Sequence, residues 1–283
     1  MERHVRLANK MLSFAWWRMA RRAMCGLTIC YLVGPLLVVL VLSFSSAQFL
    51  TFPPPAFSLH LYRNLLQDPR WAASFVTSLK IMIPSAAVAT LCATAAACGV
   101  IRLNAKAATL VSVLILAPIV TPVIITAAAI YGLFQRLGLN GTIGGLIIAH
   151  TVITLPYVFI TVSAALNAVD PRLEAAASTL GAPPLTAFRR IVLPLIMPAV
   201  LSGLLFAMVV SFDELVVSLF ISTPEVQPLT VHMWSDVMGD VDPTITALSS
   251  FLLCISLLAV FAQRGVRLML RRSDVDLETA ASS

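Results

Sequence analysis

Charged residues are scarce in this sequence: they make up 11% of its 283 residues, whereas hydrophobic residues make up 59%. Soluble domains carry roughly 25% charged residues, and a soluble fold of this length does not hide so much apolar surface. The scarcity of charge therefore excludes a soluble protein and predicts that lipid is part of the solvent. The formal net charge is +6, but the basic residues lie in short segments between apolar runs. This distribution indicates membrane orientation and argues against nucleic acid as a partner.

Several chemical motifs are also missing. No GxxxxGK[ST] phosphate loop occurs, so the chain is expected to bind no nucleotide or other cofactor itself. No HExxH occurs, and no nucleophile accompanies the membrane histidines, which argues against an intramembrane enzyme. The cysteines form no CxxC pair and lie almost entirely in apolar runs, so they are interpreted as small hydrophobic residues and not as disulfides or metal ligands. They are Cys25, Cys30, Cys92, Cys98 and Cys254.

The apolar residues are arranged in six long runs. A membrane-spanning helix needs about 20 apolar residues, so the sequence predicts an all-α integral membrane protein with six transmembrane helices. The first run follows a basic amino-terminal segment and is too long for the apolar part of a cleavable signal peptide, so it is expected to be retained. The predicted spans are Cys25–Phe44, Phe75–Val100, Ala107–Phe134, Ile143–Leu166, Leu193–Ile221 and Thr244–Phe261.

Lysine and arginine residues predict the orientation. With the amino terminus in the cytoplasm, the inner segments hold fifteen of the nineteen basic residues. This bias predicts that both termini are cytoplasmic in the bacterial inner membrane. The predicted organisation is a cytoplasmic segment at 1–24, a six-helix membrane domain at 25–261 and a cytoplasmic tail at 262–283.

The inner loop at 167–193 has strong local signals. Asp170 is a good helix cap, and Pro171 suits the first helical position. Glu174 lies in the first turn, where a negative charge is favourable. Gly181 is able to adopt the left-handed conformation that stops a helix, and prolines follow it. The loop is therefore predicted to form two short helices separated by a break, which is a compact surface on which a partner docks.

This coupling loop, residues 167–193, resembles the signature of the permease subunits of binding-protein-dependent ABC importers. That signature reads Glu-Ala-Ala, three residues, Gly, nine residues, Ile, one residue, Leu-Pro. The spacing from the glycine onward matches, and Glu174 is displaced by one position, so that Ala175 stands where the pattern has its glutamate. The residues that the resemblance implies for coupling to the ATPase are Glu174, Ala175, Ala176, Gly181, Ile191, Leu193 and Pro194.

The resemblance implies a set of partners and a mechanism. It implies a second permease subunit, a cytoplasmic ATPase dimer and a periplasmic solute-binding protein. The coupling loop would enter a cleft on the ATPase, and ATP-driven closure would switch the permease pair between inward-facing and outward-facing states. The chain itself would then be a transporter subunit and not an enzyme, with the ATP used by the partner.

Asp213 and Glu214 are adjacent carboxylates inside the fifth predicted span. Charges in an apolar helix are costly and mark functional positions, so the pair is a candidate for the substrate pathway, with Asp213 preferred. The surrounding Ser211-Phe212-Asp213-Glu214 resembles the second permease of spermidine/putrescine importers, which implies a polyamine cargo. Aminophosphonate, ferric ion or another small solute stays open as cargo, as does a structural membrane subunit that transports nothing.

Two histidines leave a further alternative open. His150, near the start of the fourth predicted span, and His232, in the last outer loop, are candidates for a proton or metal group. A single histidine in such a place is more often a residue whose hydrogen bonds are satisfied within the fold.

Overall fold

The structure is a computed structural model that describes residues 2–239 and 242–256. Every regular element among these residues is helical, which confirms the predicted all-α class for the described part of the chain. A π-helical segment, Phe188–Val192, joins α8 to α9. In chain order the helices are α1 (Glu2–Leu42), α2 (His60–Gln67), α3 (Pro69–Val100), α4 (Ala105–Val120), α5 (Val123–Leu137), α6 (Ile143–Ala168), α7 (Pro171–Thr179), α8 (Pro184–Ala187), α9 (Leu193–Asp213), α10 (Val216–Ile221), α11 (Leu229–Met238) and α12 (Thr244–Ser256).

The chain divides into two compact units, of which the first comprises Met1–Asp68 and Gly239–Ser283. In this unit α1 begins at Glu2 and continues without a break through most of the first predicted span. The helix is followed by a loop that contacts α2, since the Ser43 hydroxyl lies 2.8 Å from the Tyr62 hydroxyl of α2. The aromatic rings of Phe44 and Tyr62 also pack together, with ring centroids 5.3 Å apart.

The second unit, Pro69–Met238, is built on α3, α6 and α9. Alanines of α3 pack against branched residues of α6 and α9, and small side chains let helices approach closely in a membrane. Gly203 of α9 shows how close the approach is, because a Cβ atom at that position would lie 3.1 Å from Val158 Cγ1. The fully buried centre of this bundle consists of Ala86, Ala93, Ala97, Val158, Val162, Ile196 and Ala207.

The described residues contain four helices that are long and apolar enough to cross a membrane, and a fifth crossing if one bent helix pair counts as a single span. The four are Trp16–Leu42, Pro69–Val100, Ile143–Ala168 and Pro184–Asp213. The sixth predicted span begins as the shorter apolar helix α12, and its last part, 257–261, lies outside the described residues, as does the predicted tail 262–283. Six crossings therefore stay a prediction.

The third predicted span is broken between α4 and α5, whose axes differ in direction by 104°. Thr121 has an extended backbone with ψ 135°, and Pro122 follows it. A proline disfavours the helical conformation of the residue before it and has no amide hydrogen to donate. The two prolines in this run, Pro118 and Pro122, therefore differ: the first is tolerated inside α4, and the second separates the helices.

The fifth predicted span is also broken, and here the sequence prediction of two carboxylates within one helix is wrong. Helix α9 ends at Asp213, and Glu214 has the extended dihedral angles φ −71° and ψ 110°. Helix α10 then begins at Val216. No glycine or proline marks this break, so its cause lies in the side-chain contacts around it.

Candidate functional site

The break between α9 and α10 places the two carboxylates in different roles. The Glu214 carboxylate accepts a hydrogen bond at 2.8 Å from the backbone N–H of Val217, in the first turn of α10. The backbone carbonyl of Glu214 accepts a hydrogen bond at 3.2 Å from the Thr230 hydroxyl. Glu214 is half-buried and acts as a cap, because it satisfies an amide that has no partner within the helix.

Asp213 has a different environment. Its side chain is exposed, and within the part of the chain that the structure describes its carboxylate has no hydrogen-bond or ion-pair partner. Ser211, two residues earlier, is buried against α3 and α6. Residues two positions apart are about 200° apart around a helix. The Asp213 carboxylate therefore points away from the core of its own bundle.

A buried polar network lies beneath this break. His150 of α6 is only 2% exposed. Its Nδ1 lies 2.9 Å from the Ser211 hydroxyl of α9, and its Nε2 lies 3.0 Å from the Ser218 hydroxyl of α10. The Ser211 hydroxyl also lies 3.0 Å from the Ser85 hydroxyl of α3. His150 thus has both ring nitrogens satisfied within the fold.

His232 belongs to α11 and is held in a second polar cluster. Its ring stacks on that of Trp71 with centroids 4.2 Å apart, and its Nδ1 lies 3.0 Å from the Ser74 hydroxyl. Its Nε2 lies 3.8 Å from an Asp236 carboxylate oxygen. His232, Asp236 and Glu225 line a polar cavity of about 340 Å³. Two carboxylates, those of Glu225 and Asp236, thus line one cavity together with the His232 ring.

The backbone of the coupling loop follows its local sequence signals. The Asp170 side chain accepts a hydrogen bond at 2.9 Å from the Arg172 N–H and so caps α7. At the other end, Gly181 has φ +80°. The N–H groups of Gly181 and Ala182 donate to the carbonyls of Ser178 and Ala177, each at 3.0 Å. This pair of hydrogen bonds is the Schellman motif, which terminates a helix at a left-handed residue.

The remaining signature residues lie on both sides of that break. Ala175 and Ala176 are exposed on α7, and Ile191 is half-buried in the π-helical segment. Leu193 and Pro194 are the first two residues of α9, directly after that segment. The loop also exposes large apolar side chains, since Leu180 is 88% and Leu185 is 68% exposed.

Glu174 is bound within the chain. One of its carboxylate oxygens accepts a hydrogen bond from the Arg102 guanidinium at 3.0 Å, and the two side chains are 35% and 55% exposed. Sequence reasoning used Arg102 only as one of the basic residues that orient the chain. The sequence does show a basic residue in the loop between α3 and α4. It does not show which acidic residue that basic residue binds.

Known proteins resemble this chain in sequence and in fold. Residues 69–273 match the family model of the binding-protein-dependent transport system inner membrane component. The chain is 31% identical to the spermidine/putrescine transport system permease protein PotC of Escherichia coli (strain K12), over 87% of this chain and 93% of that protein. It is 34% identical to the putrescine transport system permease protein PotI of the same organism, over 79% of this chain and 82% of that protein.

A third relative and a solved structure extend the comparison. The chain is 30% identical to the putative 2-aminoethylphosphonate transport system permease protein PhnV of Salmonella typhimurium, over 77% of this chain and 84% of that protein. A bacterial ABC transporter involved in the import of the acidic polysaccharide alginate shares the fold with a TM-score of 0.66 at 14% identity, over 90% of this chain and 96% of that one.

Proposed function

Since the chain belongs to the family of binding-protein-dependent transport system inner membrane components, we propose that it is the permease subunit of an ATP-driven importer of polyamines such as putrescine or spermidine. The observation that carries the choice of cargo is the unpaired carboxylate of Asp213, at the end of α9. Two relatives named for polyamine transport, at 31% and 34% identity, support the same choice.

The charged carboxylate of Asp213 is unfavourable in a membrane unless water or a positive charge contacts it. Asp213 is the last residue of α9 and lies within a long apolar run, and carboxylates in such runs normally face a wet cavity or a partner charge. Asp213 faces away from its own bundle, which is the direction in which a second permease subunit would close a pathway. The ammonium groups of a polyamine would supply the missing positive charge. Glu214 already serves as a cap, so it is the less available of the two carboxylates.

The coupling loop is the proposed docking surface for the ATPase. Its two short helices are separated at Gly181, and Leu180 and Leu185 project from it as exposed apolar side chains. Exposed apolar side chains at a defined break favour insertion into a partner's cleft. The proposed contribution of Glu174 is through Arg102, which binds one of its carboxylate oxygens.

The remaining parts of the importer follow from family membership. A second permease, an ATPase dimer, a periplasmic solute-binding protein and the lipid of the bacterial inner membrane are the proposed partners. The excess of basic residues in the inner segments supports cytoplasmic termini, with the coupling loop on the same side. The cavity that contains His232 and Glu225 would then lie on the periplasmic side, where the binding protein delivers cargo.

Aminophosphonate is the second candidate cargo, because PhnV is 30% identical to this chain. Its ammonium group would suit Asp213, but its phosphonate would be repelled by the same carboxylate. The two candidate cargoes therefore differ in net charge, and ATPase stimulation by binding protein loaded with one or the other distinguishes them.

Uptake of labelled putrescine and spermidine by cells that express the complete importer tests the proposal. Saturable polyamine uptake should disappear when this subunit is deleted. In the purified complex, ATPase activity should be stimulated by binding protein loaded with polyamine and not by binding protein loaded with 2-aminoethylphosphonate. The reverse pattern of stimulation would establish the second candidate.

A further inference from the structure

We propose that His150 is a positioning residue for transport: it holds the break between α9 and α10 in place and thereby sets the position of the Asp213 carboxylate. This inference rests on the proposed function, since it assigns to Asp213 a place in the substrate pathway. The inference adds to the proposed pathway a residue of α6, which lies 63 positions before Asp213 in the chain.

The two contacts of His150 lie on opposite sides of the break. Ser211 precedes Asp213 by two residues, and Ser218 follows Glu214 by four. One imidazole ring therefore binds the last turn of α9 through Nδ1 and the first turns of α10 through Nε2, at 2.9 and 3.0 Å. Because α6 packs against α9 along the bundle, the ring ties both helix ends to a rigid element.

The chemistry of imidazole suits this role. A neutral ring carries one N–H donor and one acceptor nitrogen, and a hydroxyl is able to complement either. The ring thus satisfies two serines at once without a net charge in a buried, apolar site. Alanine at this position would leave Ser218 without its ring partner and the Ser211 hydroxyl with only Ser85.

The other polar and ring contacts that the described residues show at the break each act on one side of it. On the α10 side are the cap from Glu214 to Val217 N–H and the hydrogen bond from Thr230 to the Glu214 carbonyl. On the α9 side, the ring of Phe212 packs edge-on against a phenylalanine ring of α3, with centroids 6.2 Å apart. His150 is the contact that joins α10 to the end of α9, and Asp213 is the last residue of that end. Loss of the ring should therefore let the end of α9, and Asp213 with it, move relative to α10.

The test is polyamine uptake by the complete importer carrying His150→Ala, His150→Gln or Ser218→Ala. We expect Ser218→Ala to raise the half-saturating polyamine concentration about two- to tenfold, the range that corresponds to loss of one neutral hydrogen bond. His150→Ala loses two such bonds and should raise it further. His150→Gln, whose amide retains a donor and an acceptor, should recover part of the loss. Thr161→Val is the matched control, because the Thr161 hydroxyl bonds only within α6, to the carbonyl of Tyr157.

A double-variant comparison distinguishes positioning from a general structural role. In an Asp213→Asn background, His150→Ala should have little further effect on the half-saturating concentration, because residues that act through one another are not additive. A purely structural role would instead lower the amount of assembled complex and the maximal rate, and would do so equally in both backgrounds. That result would overturn the proposal.

The remaining outcomes separate this inference from the proposed function. If Asp213→Asn raises the half-saturating concentration whereas Ser218→Ala and His150→Gln, in assembled complexes, leave it unchanged, His150 has no positioning role and Asp213 keeps its own. If Asp213→Asn leaves polyamine uptake unchanged, the proposed role of Asp213 is wrong and the inference about His150 falls with it. Ser218→Ala removes only one hydroxyl, so it provides a measurement even if His150→Ala does not assemble.

Discussion

The carboxylate of Glu174 binds the guanidinium of Arg102 at 3.0 Å, although the two residues are 72 positions apart. The contact joins α7 of the coupling loop to the loop between α3 and α4. Movement imposed on α7 by an ATPase would therefore reach the end of α3 through Arg102. Helix α3 is one of the three helices that form the core of the second unit. An exposed ion pair of this kind is worth about 0–1 kcal/mol, so we expect it to matter for the transmission of movement more than for stability.

The first prediction concerns this ion pair. Arg102→Glu and Glu174→Arg should each lower the ratio of transport to ATP hydrolysis about two- to fivefold, because each places like charges together and costs about 1 kcal/mol or less. The double variant with exchanged charges should restore the ratio. Transport and ATPase activity measured together in proteoliposomes provide this ratio.

Arg172→Glu is the control for the ion pair, since it reverses an exposed charge on the same helix without touching Glu174's partner. If the exchanged double variant behaves no better than the single variants, Glu174 does not act through Arg102, and direct contact with the ATPase becomes the better explanation.

The second prediction concerns the glycine of the coupling loop. Gly181→Glu should uncouple transport from ATP hydrolysis, because φ +80° costs a residue with a side chain roughly 1–2 kcal/mol. A Cβ atom at Gly181 meets no atom within 4 Å, so the effect comes from backbone conformation and not from a clash. The measurement is binding of the ATPase subunit together with transport.

Gly138→Glu is the matched control for that variant. Gly138 has φ +67° and equally open surroundings, but it lies at the end of α5, far along the chain from the coupling loop. Both variants should lose similar stability, and only Gly181→Glu should lose ATPase coupling. Equal transport losses in the two variants would argue against docking at Gly181.

The third prediction separates the two carboxylates. Asp213→Asn should raise the half-saturating polyamine concentration about tenfold or more, because hydrogen bonds to charged groups are worth about 1.5–3 kcal/mol. Glu214→Gln should have a smaller effect, because the amide oxygen still accepts the hydrogen bond from Val217 N–H. Uptake kinetics at a matched amount of assembled complex provide the comparison, and an equal or larger effect of Glu214→Gln would reverse the assignment.

The fourth prediction concerns packing between α6 and α9. Gly203→Val should destabilise the protein by about 1–3 kcal/mol, the usual cost of overpacking, since even a Cβ atom would lie 3.1 Å from Val158 Cγ1. Gly132→Val places the same side chain in a helix where the position is open, so it should cost much less. Thermal unfolding in detergent measures both variants, and equal melting temperatures would contradict the close approach at Gly203.

Much of the coupling loop was predictable because its signals are local. A capping Asp170, a proline at the first helical position and a left-handed Gly181 act on neighbouring backbone atoms, and all three have the predicted structure. The break at Pro122 was visible in principle, since the proline acts on the residue before it. The sequence analysis nevertheless predicted a single span that contains this proline, whereas the structure bends there by 104°.

The break at Glu214 was not predictable in the same way. No proline or glycine occurs there, and hydropathy runs on through both α9 and α10. The interruption depends on contacts with α6 and α11, through His150 and Thr230. Adjacent carboxylates in the sequence therefore suggested one helix, whereas the fold uses one carboxylate as a cap and leaves the other unpaired.

Composition, run length and local capping signals thus determined from the sequence alone that this chain is a helical membrane protein with a capped helix and a left-handed Gly181 in its coupling loop. These properties depend on transfer into lipid and on hydrogen bonds over a few residues. Tertiary structure decided which charges meet, because the partners of Glu174 and His150 lie between 61 and 72 positions away. Pairings over such distances follow from how α3, α6 and α9 pack, and that packing is a property of the whole bundle.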